Sequence, residues 1–218
     1  MKNLSLVAAA IVAISPVFLS AKSSKPFPDA AVDSPAAQGS GPQTAVFAGG
    51  CFWGVEAVFD HLKGVTNAVS GFSGGSAKTA HYETVSMGNT GHAESVKVTY
   101  DPAQITYGQL LKVFFSVAHD PTELNRQGPD EGTQYRSAIF YGNDEQKRIA
   151  EAYIRQLDDA KVFSRPIVTQ VVPLQGFYAA EAYHQKFVAR NPMYPYVVYN
   201  DLPKLSHLKK AYPQLCRR

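Results

Sequence analysis

Hydrophobic and polar positions change period several times along this chain, and each change marks an element. Thr44 to Ala48 is a short apolar run ending in Gly49-Gly50, the pattern of a strand entering a turn. From Cys51 onward the period becomes helical: Phe52, Val55, Val58, Phe59 and Leu62 share one face, with Gly64 placed to terminate it. Val65 to Phe72 reads as a strand before the Gly74-Gly75 turn, and the polar stretch Ser76 to His92 has no period, as functional loops often do not. Ala93 to Tyr100 alternates, with Glu94, Val96, Val98 and Tyr100 on one face and Ser95, Lys97 and Thr99 on the other. Thr106 and Gln109 form a capping-box pair ahead of a helix carrying Leu110, Leu111, Phe114 and Phe115.

After an irregular segment from His119 to Gln134, Tyr135 to Tyr141 predicts a strand, and Asn143 with Gln146 predicts a capped helix to about Ala160. Ile167 to Val172 reads as a strand and Ala179 to Arg190 as a helix, while the Tyr- and Pro-rich tail has no usable period. The order through Tyr141 is β-α-β-β-α-β. This predicts an α+β fold: a ferredoxin-like core with an additional helix, strand and helix, packed on a mixed sheet as one domain over 44–218.

The N-terminus reads differently. Lys2 precedes an apolar run from Leu4 to Leu19, and Leu19-Ser20-Ala21 offers a small-residue cleavage site, so residues 1–21 are expected to be a signal peptide and the protein exported, to the periplasm in a Gram-negative cell. An uncleaved anchor is the alternative, against which stand the shortness of the run and Pro16. Residues 22–43 have the composition of a flexible linker. Charge adds only an exclusion: at +3, with its basic residues scattered, the chain has no nucleic-acid footprint.

Export gives the two cysteines two readings. Cys51 and Cys216 could form a structural bridge, as the oxidising compartment permits. Against that, Cys51 stands where a strand turns through two glycines into a helix, and the amides of a helix N-terminus favour a thiolate, predicting a depressed pKa and a reactive sulfur. Phe52 fits the apolar stripe behind it; Trp53 falls off that stripe, as a binding residue would. Glu94 shares its strand face with apolar residues, and burial without a cation would keep it protonated, a general acid. His92-Ala93-Glu94 resembles the first half of a zinc deaminase signature, but the required downstream Pro-Cys-x-x-Cys is missing, so no metal is expected. A thiol hydrolase pairing Cys51 with His92, His119 or His184, and a peptide-binding module stapled by Cys51–Cys216, remain as competing readings.

The segment Gly50-Cys51-Phe52-Trp53-Gly54 resembles the signature of the A-type peptide methionine sulfoxide reductases. The resemblance continues through Thr90-Gly91-His92-Ala93-Glu94, His119-Asp120-Pro121-Thr122, Gln127-Gly128-Pro129-Asp130 and Gly132-Thr133-Gln134-Tyr135-Arg136-Ser137, from about Thr44 to about Arg190. It implies that Cys51 is the nucleophile and Glu94 the acid. Phe52 and Trp53 would seat the S-methyl group, and Tyr82, Asp130 and Tyr135 would line the pocket around the sulfoxide oxygen. It further implies reduction of the S epimer through a Cys51 sulfenic acid, recycled by a thioredoxin-like dithiol, with no need of an organic cofactor or metal; nothing in the sequence demands an oligomer, so a monomer is expected. The tail departs from the family: many relatives are Gly- and Cys-rich where this chain reads Tyr194-Pro195-Tyr196-Val197-Val198, leaving Cys216 as the one candidate resolving thiol, with direct attack by an external thiol as the alternative.

Overall fold

The computed structural model describes residues 26–34 and 41–217; the predicted signal peptide lies outside them. In chain order the elements are β1 (Gln43–Ala48), α1 (Phe52–Asp60), β2 (Val65–Ser73), α2 (Tyr82–Val85), β3 (Ala93–Tyr100), α3 (Tyr107–Val113), β4 (Arg126–Gln127), β5 (Asp130–Glu131), β6 (Ala138–Tyr141), α4 (Asp144–Asp159), β7 (Gln170–Pro173), β8 (Phe177–Ala179), α5 (Phe187–Arg190) and α6 (Leu202–Ala211). Six strands form one sheet in the order β7-β6-β1-β3-β2-β8, antiparallel at every pairing except β6 with β7. The fold is thus α+β on a mixed sheet.

Strand alternation decides where the core lies. Ala45 and Phe47 of β1 and Val96 and Val98 of β3 face α1, α3 and α4, whereas Val46, Ala48 and Ala93 face away and pack with Ala138 and Phe140. Phe47 is the centre of the larger cluster, stacked on Phe59 of α1 at 5.1 Å and on Phe114 at 5.0 Å. The Thr106–Gln109 capping box forms as predicted, and the Asn143 side chain accepts from the Gln146 amide at the start of α4. Beyond α3 a π-helical turn, Phe114–Ala118, ends at His119.

Three expectations are corrected. The helix predicted over Ala179–Arg190 divides into the edge strand β8 and the single turn α5. Two polar captures outcompete its helical bonds: the Gln185 side chain pairs with the Ser70 backbone, and the buried Glu56 carboxylate accepts the Lys186 amide, whose residue sits at φ 53°. The tail, read as aperiodic, forms a π-helical turn, Val197–Asp201, and then α6, with Leu205 and Leu208 buried.

The linker reading of 22–43 fails where those residues are described: 26–34 dock on α3 and α4, and β1 already begins at Gln43. That docking is apolar through Phe27, Ala30 and Val32, too few residues to show a period, and polar through hydrogen bonds that hydrophobic patterning does not register. Asp33 accepts from the Gly108 amide and the Thr106 hydroxyl at the N-terminus of α3, while Gln156 brackets Asp29 and Ala31.

Asp33 therefore serves as an added cap for α3. Asp33→Ala is expected to lower stability by about 1 kcal/mol, the usual worth of an N-cap carboxylate. Urea unfolding checks this; an unchanged midpoint would mean that the 26–34 segment contributes nothing to the fold.

Candidate active site

Cys51 is the N-cap of α1, and the Gly49-Gly50 turn that delivers it has no room for side chains. Gly50 lies at φ +85°, and a Cβ there would meet the Gln127 side chain at 2.5 Å. One residue on, the Phe52 amide, an orphan donor of the first helical turn, donates to Glu94 Oε2 at 3.0 Å. This single bond ties the start of α1 to β3 and sets Glu94 beside Cys51.

Glu94 is 2% exposed, as its strand face predicted. Burial pushes its pKa up to about 8, opposed by the Phe52 amide and assisted by Asp130, so the carboxyl carries its proton at neutral pH. The expectation for Cys51 is reversed. Burial first, then the carboxylates Glu94 and Asp201, hold its thiol well above the ordinary range, and the Trp53 amide opposes them only in part. A helix N-terminus favours an anion, but here that field is shared with carboxyl groups and the sulfur is buried.

Aromatic rings enclose the sulfur's surroundings. Phe52 is buried against Phe72 (5.8 Å), Tyr82 (6.4 Å) and His184 (5.0 Å). Trp53 is half-buried, stacked on Phe187 at 3.8 Å and met edge-on by Tyr194 and Tyr196. The Trp53 indole donates to His184 Nδ1 at 3.1 Å, which leaves the imidazole proton on Nε2. Asp130 arrives on the tight β4–β5 hairpin and accepts from the Tyr196 hydroxyl. Tyr82 opens α2, and Tyr135 ends a 3-10 turn, Thr133–Tyr135; both phenols are raised first by burial and then by Glu94.

Cys51, Phe52, Trp53, Tyr82, Glu94, Asp130 and Tyr135 thus lie together. Cys216 does not join them. It is buried in an isolated antiparallel bridge with Leu62, next to the Arg217 amide bonded to His61 and the Lys63 amide bonded to Leu215. That is the far end of α1, about 13 Å of helix from Cys51. Both thiols are free, so no structural bridge joins them.

Three contributors escape the sequence reading: Phe187, which falls inside the mispredicted helix, and Tyr196 and Asp201, which belong to the tail; His184 enters that reading only as a hydrolase partner of Cys51. Only the tyrosines flanking Pro195 give a signal of an aromatic wall.

The histidines of the hydrolase reading are committed elsewhere. His119, lowered to about 3 by burial, donates from Nδ1 to the Phe114 carbonyl and pairs through Nε2 with Ser137. His92 spans Gly75 and Ser76, and His184 holds Trp53. None of the three is hydrogen-bonded to Cys51. Among the described residues no cluster of three or more metal-ligating side chains occurs.

Because Glu94 holds a proton in the fold that it releases at pH 4.5 when unfolded, stability is expected to fall as pH rises from 4.5 through about 8. Glu94→Gln should flatten that dependence and melt higher than the parent at pH 9, though not at pH 4.5. Melting curves that stay parallel at every pH would contradict a buried neutral carboxyl.

The family model described as peptide methionine sulfoxide reductase matches residues 43–215. A protein of Mesorhizobium japonicum named peptide methionine sulfoxide reductase MsrA 2 is 62% identical over 184 residues, covering 84% of this chain and 93% of its own length. An MsrA of Thermus thermophilus is 48% identical, covering 80% and 98%. Among solved structures, methionine sulfoxide reductase A of Corynebacterium diphtheriae has a TM-score of 0.63 at 36% identity, covering 78% of this chain and 84% of its own. Reduced Mxr1 from Saccharomyces cerevisiae also has a TM-score of 0.63, at 33% identity, covering 70% and 87%.

Proposed function

Given that the chain belongs to the peptide methionine sulfoxide reductase family, A type, and is an enzyme of that activity, we propose that it reduces the S epimer of methionine sulfoxide through a sulfenic acid on Cys51. The observation that carries this reading is the buried, protonated Glu94 held on the Phe52 amide beside the Cys51 sulfur in the aromatic enclosure.

A sulfoxide sulfur is a poor electrophile because its oxygen leaves badly, and protonation of that oxygen removes the obstacle. Glu94 supplies the proton, with the Tyr82 and Tyr135 hydroxyls as further donors to the developing charge. The sulfur of Cys51 attacks the substrate sulfur. The thiol proton restores Glu94, the hydroxyl then passes from the substrate sulfur to Cys51 as the new S–S bond opens, and the thioether departs, leaving Cys51 as S–OH. The substrate methyl group lies against Phe52 and Trp53.

An external dithiol of thioredoxin type then reduces the sulfenic acid: two thiol hydrogens and the S–OH yield the Cys51 thiol, the donor's disulfide and water. Resolution by Cys216 instead requires release of the tail from His61, Leu62 and Lys63, so we favour attack on Cys51 by the donor itself. With its predicted leader, the enzyme would work as a monomer on oxidised exported proteins, and on free methionine sulfoxide where that reaches the site.

The test follows reduction of a peptide carrying both sulfoxide epimers, with dithiothreitol as donor. Loss of the S epimer alone, abolished by Cys51→Ser, is the expected result; survival of both epimers would overturn the reading. Glu94→Gln should lower kcat/KM by about 10²–10⁴-fold, and the parent's activity should decline as pH rises through about 8. Cys216→Ser should keep its turnover with dithiothreitol.

A further inference from the structure

Asp201 closes the π-helical turn that leads into α6, and it is wholly buried. Neither of its carboxylate oxygens has a hydrogen-bond partner among the described residues, and the nearest cation, Lys204 Nζ, stands 3.9 Å from Oδ1, beyond bonding distance. An unpartnered buried carboxylate is costly, so its place in the molecule calls for an account. That place is the first turn of α1. A Cβ on Gly54 would lie 2.2 Å from Asp201 Oδ1 and 2.9 Å from Lys204 Nζ, so the glycine admits this pair to the helix, three residues from Cys51.

The first turn of α1 therefore meets three polar groups. The Phe52 amide is taken by Glu94, the Trp53 amide faces the Cys51 sulfur, and Gly54 receives Asp201. A fixed negative charge at a helix N-terminus opposes a second anion there. We propose that Asp201 is a positioning residue that holds Cys51 as a neutral thiol in the resting enzyme, with Lys204 as the counter-charge that limits its effect. This rests on the role of Cys51 as nucleophile and extends it: the sulfur is withheld from electrophiles that attack free thiolates and is kept with the proton the reaction needs.

The ionisable groups around the pair are acidic apart from Lys204. Facing Cys51 and Asp201 are Glu94 from β3, Asp130 from the β4–β5 hairpin, Tyr196 beside the π turn, Tyr82 and Tyr135 from the loops, and Lys204, the one cation among these, from α6. Burial raises Asp201 itself to about 6, so it is ionised at neutral pH, where it acts on the thiol.

The experiment is alkylation of the intact chain by iodoacetamide across a pH series from mildly acidic to alkaline, with the modified cysteine located by peptide mass mapping. It needs no sulfoxide and no turnover, so it fails or succeeds independently of the proposed reaction. Asp201→Asn is expected to move the Cys51 profile to lower pH, giving about tenfold more modification at a fixed pH, while Asp201→Glu restores the parent profile. Lys204→Met, which keeps Asp201, is expected to move the profile upward, and it serves if Asp201→Asn does not fold. A Cys51 profile unmoved by Asp201→Asn in a folded protein, or moved downward by Lys204→Met, would overturn the proposal.

Discussion

The bond from the Phe52 amide to the Glu94 carboxyl joins the two halves of the site, and most of the remaining architecture serves it. It satisfies a helix-terminal donor that would otherwise be orphaned in the interior, and in doing so it fixes the acid beside the nucleophile. One amide is not enough to keep a buried carboxyl ionised, so Glu94 stays neutral, which is the state that chemistry at a sulfoxide oxygen requires. The glycines of the β1–α1 turn and the aromatic shell bury that pair, and the tight β4–β5 hairpin sets Asp130 beside it, which helps keep Glu94 protonated. Stability and catalysis meet here: the proton that makes Glu94 useful also ties the fold to pH.

Much of the site is legible in the sequence because its residues lie on regular elements. The alternation of β3 alone places Glu94 on the apolar face, and the helical stripe from Phe52 to Leu62 places Cys51 at a helix start. Trp53 stands out by falling off that stripe. What the stripe does not convey is that Phe187 and His184 are its partners, since these belong to a segment whose helical period is broken by Glu56 and Gln185. Long-range polar captures of this kind leave no periodic trace.

The depressed pKa expected for Cys51 fails for a related reason. Helix position is a local property and is readable from a short window, but ionisation is set by everything within several ångströms. Two of the relevant carboxylates, Glu94 and Asp201, lie 43 and 150 residues away in sequence. Residues 26–34 make the same point about composition: a short proline-containing stretch without a period docks through a few apolar side chains and through acceptors that meet helix-terminal donors, as Asp33 does at α3.

The pairing of Cys216 with Leu62 has a temporal consequence. The helix carrying the nucleophile is formed by residues near the beginning of the folded region, yet its far end is closed by the last strand-like contact of the chain, and its near end by Tyr196 and Asp201 on the way there. While the chain is being synthesised, the site stays unfinished until Asp201, 150 residues after Cys51, has emerged. The thiol enters its complete surroundings only after Tyr196 and Asp201 have folded back onto α1.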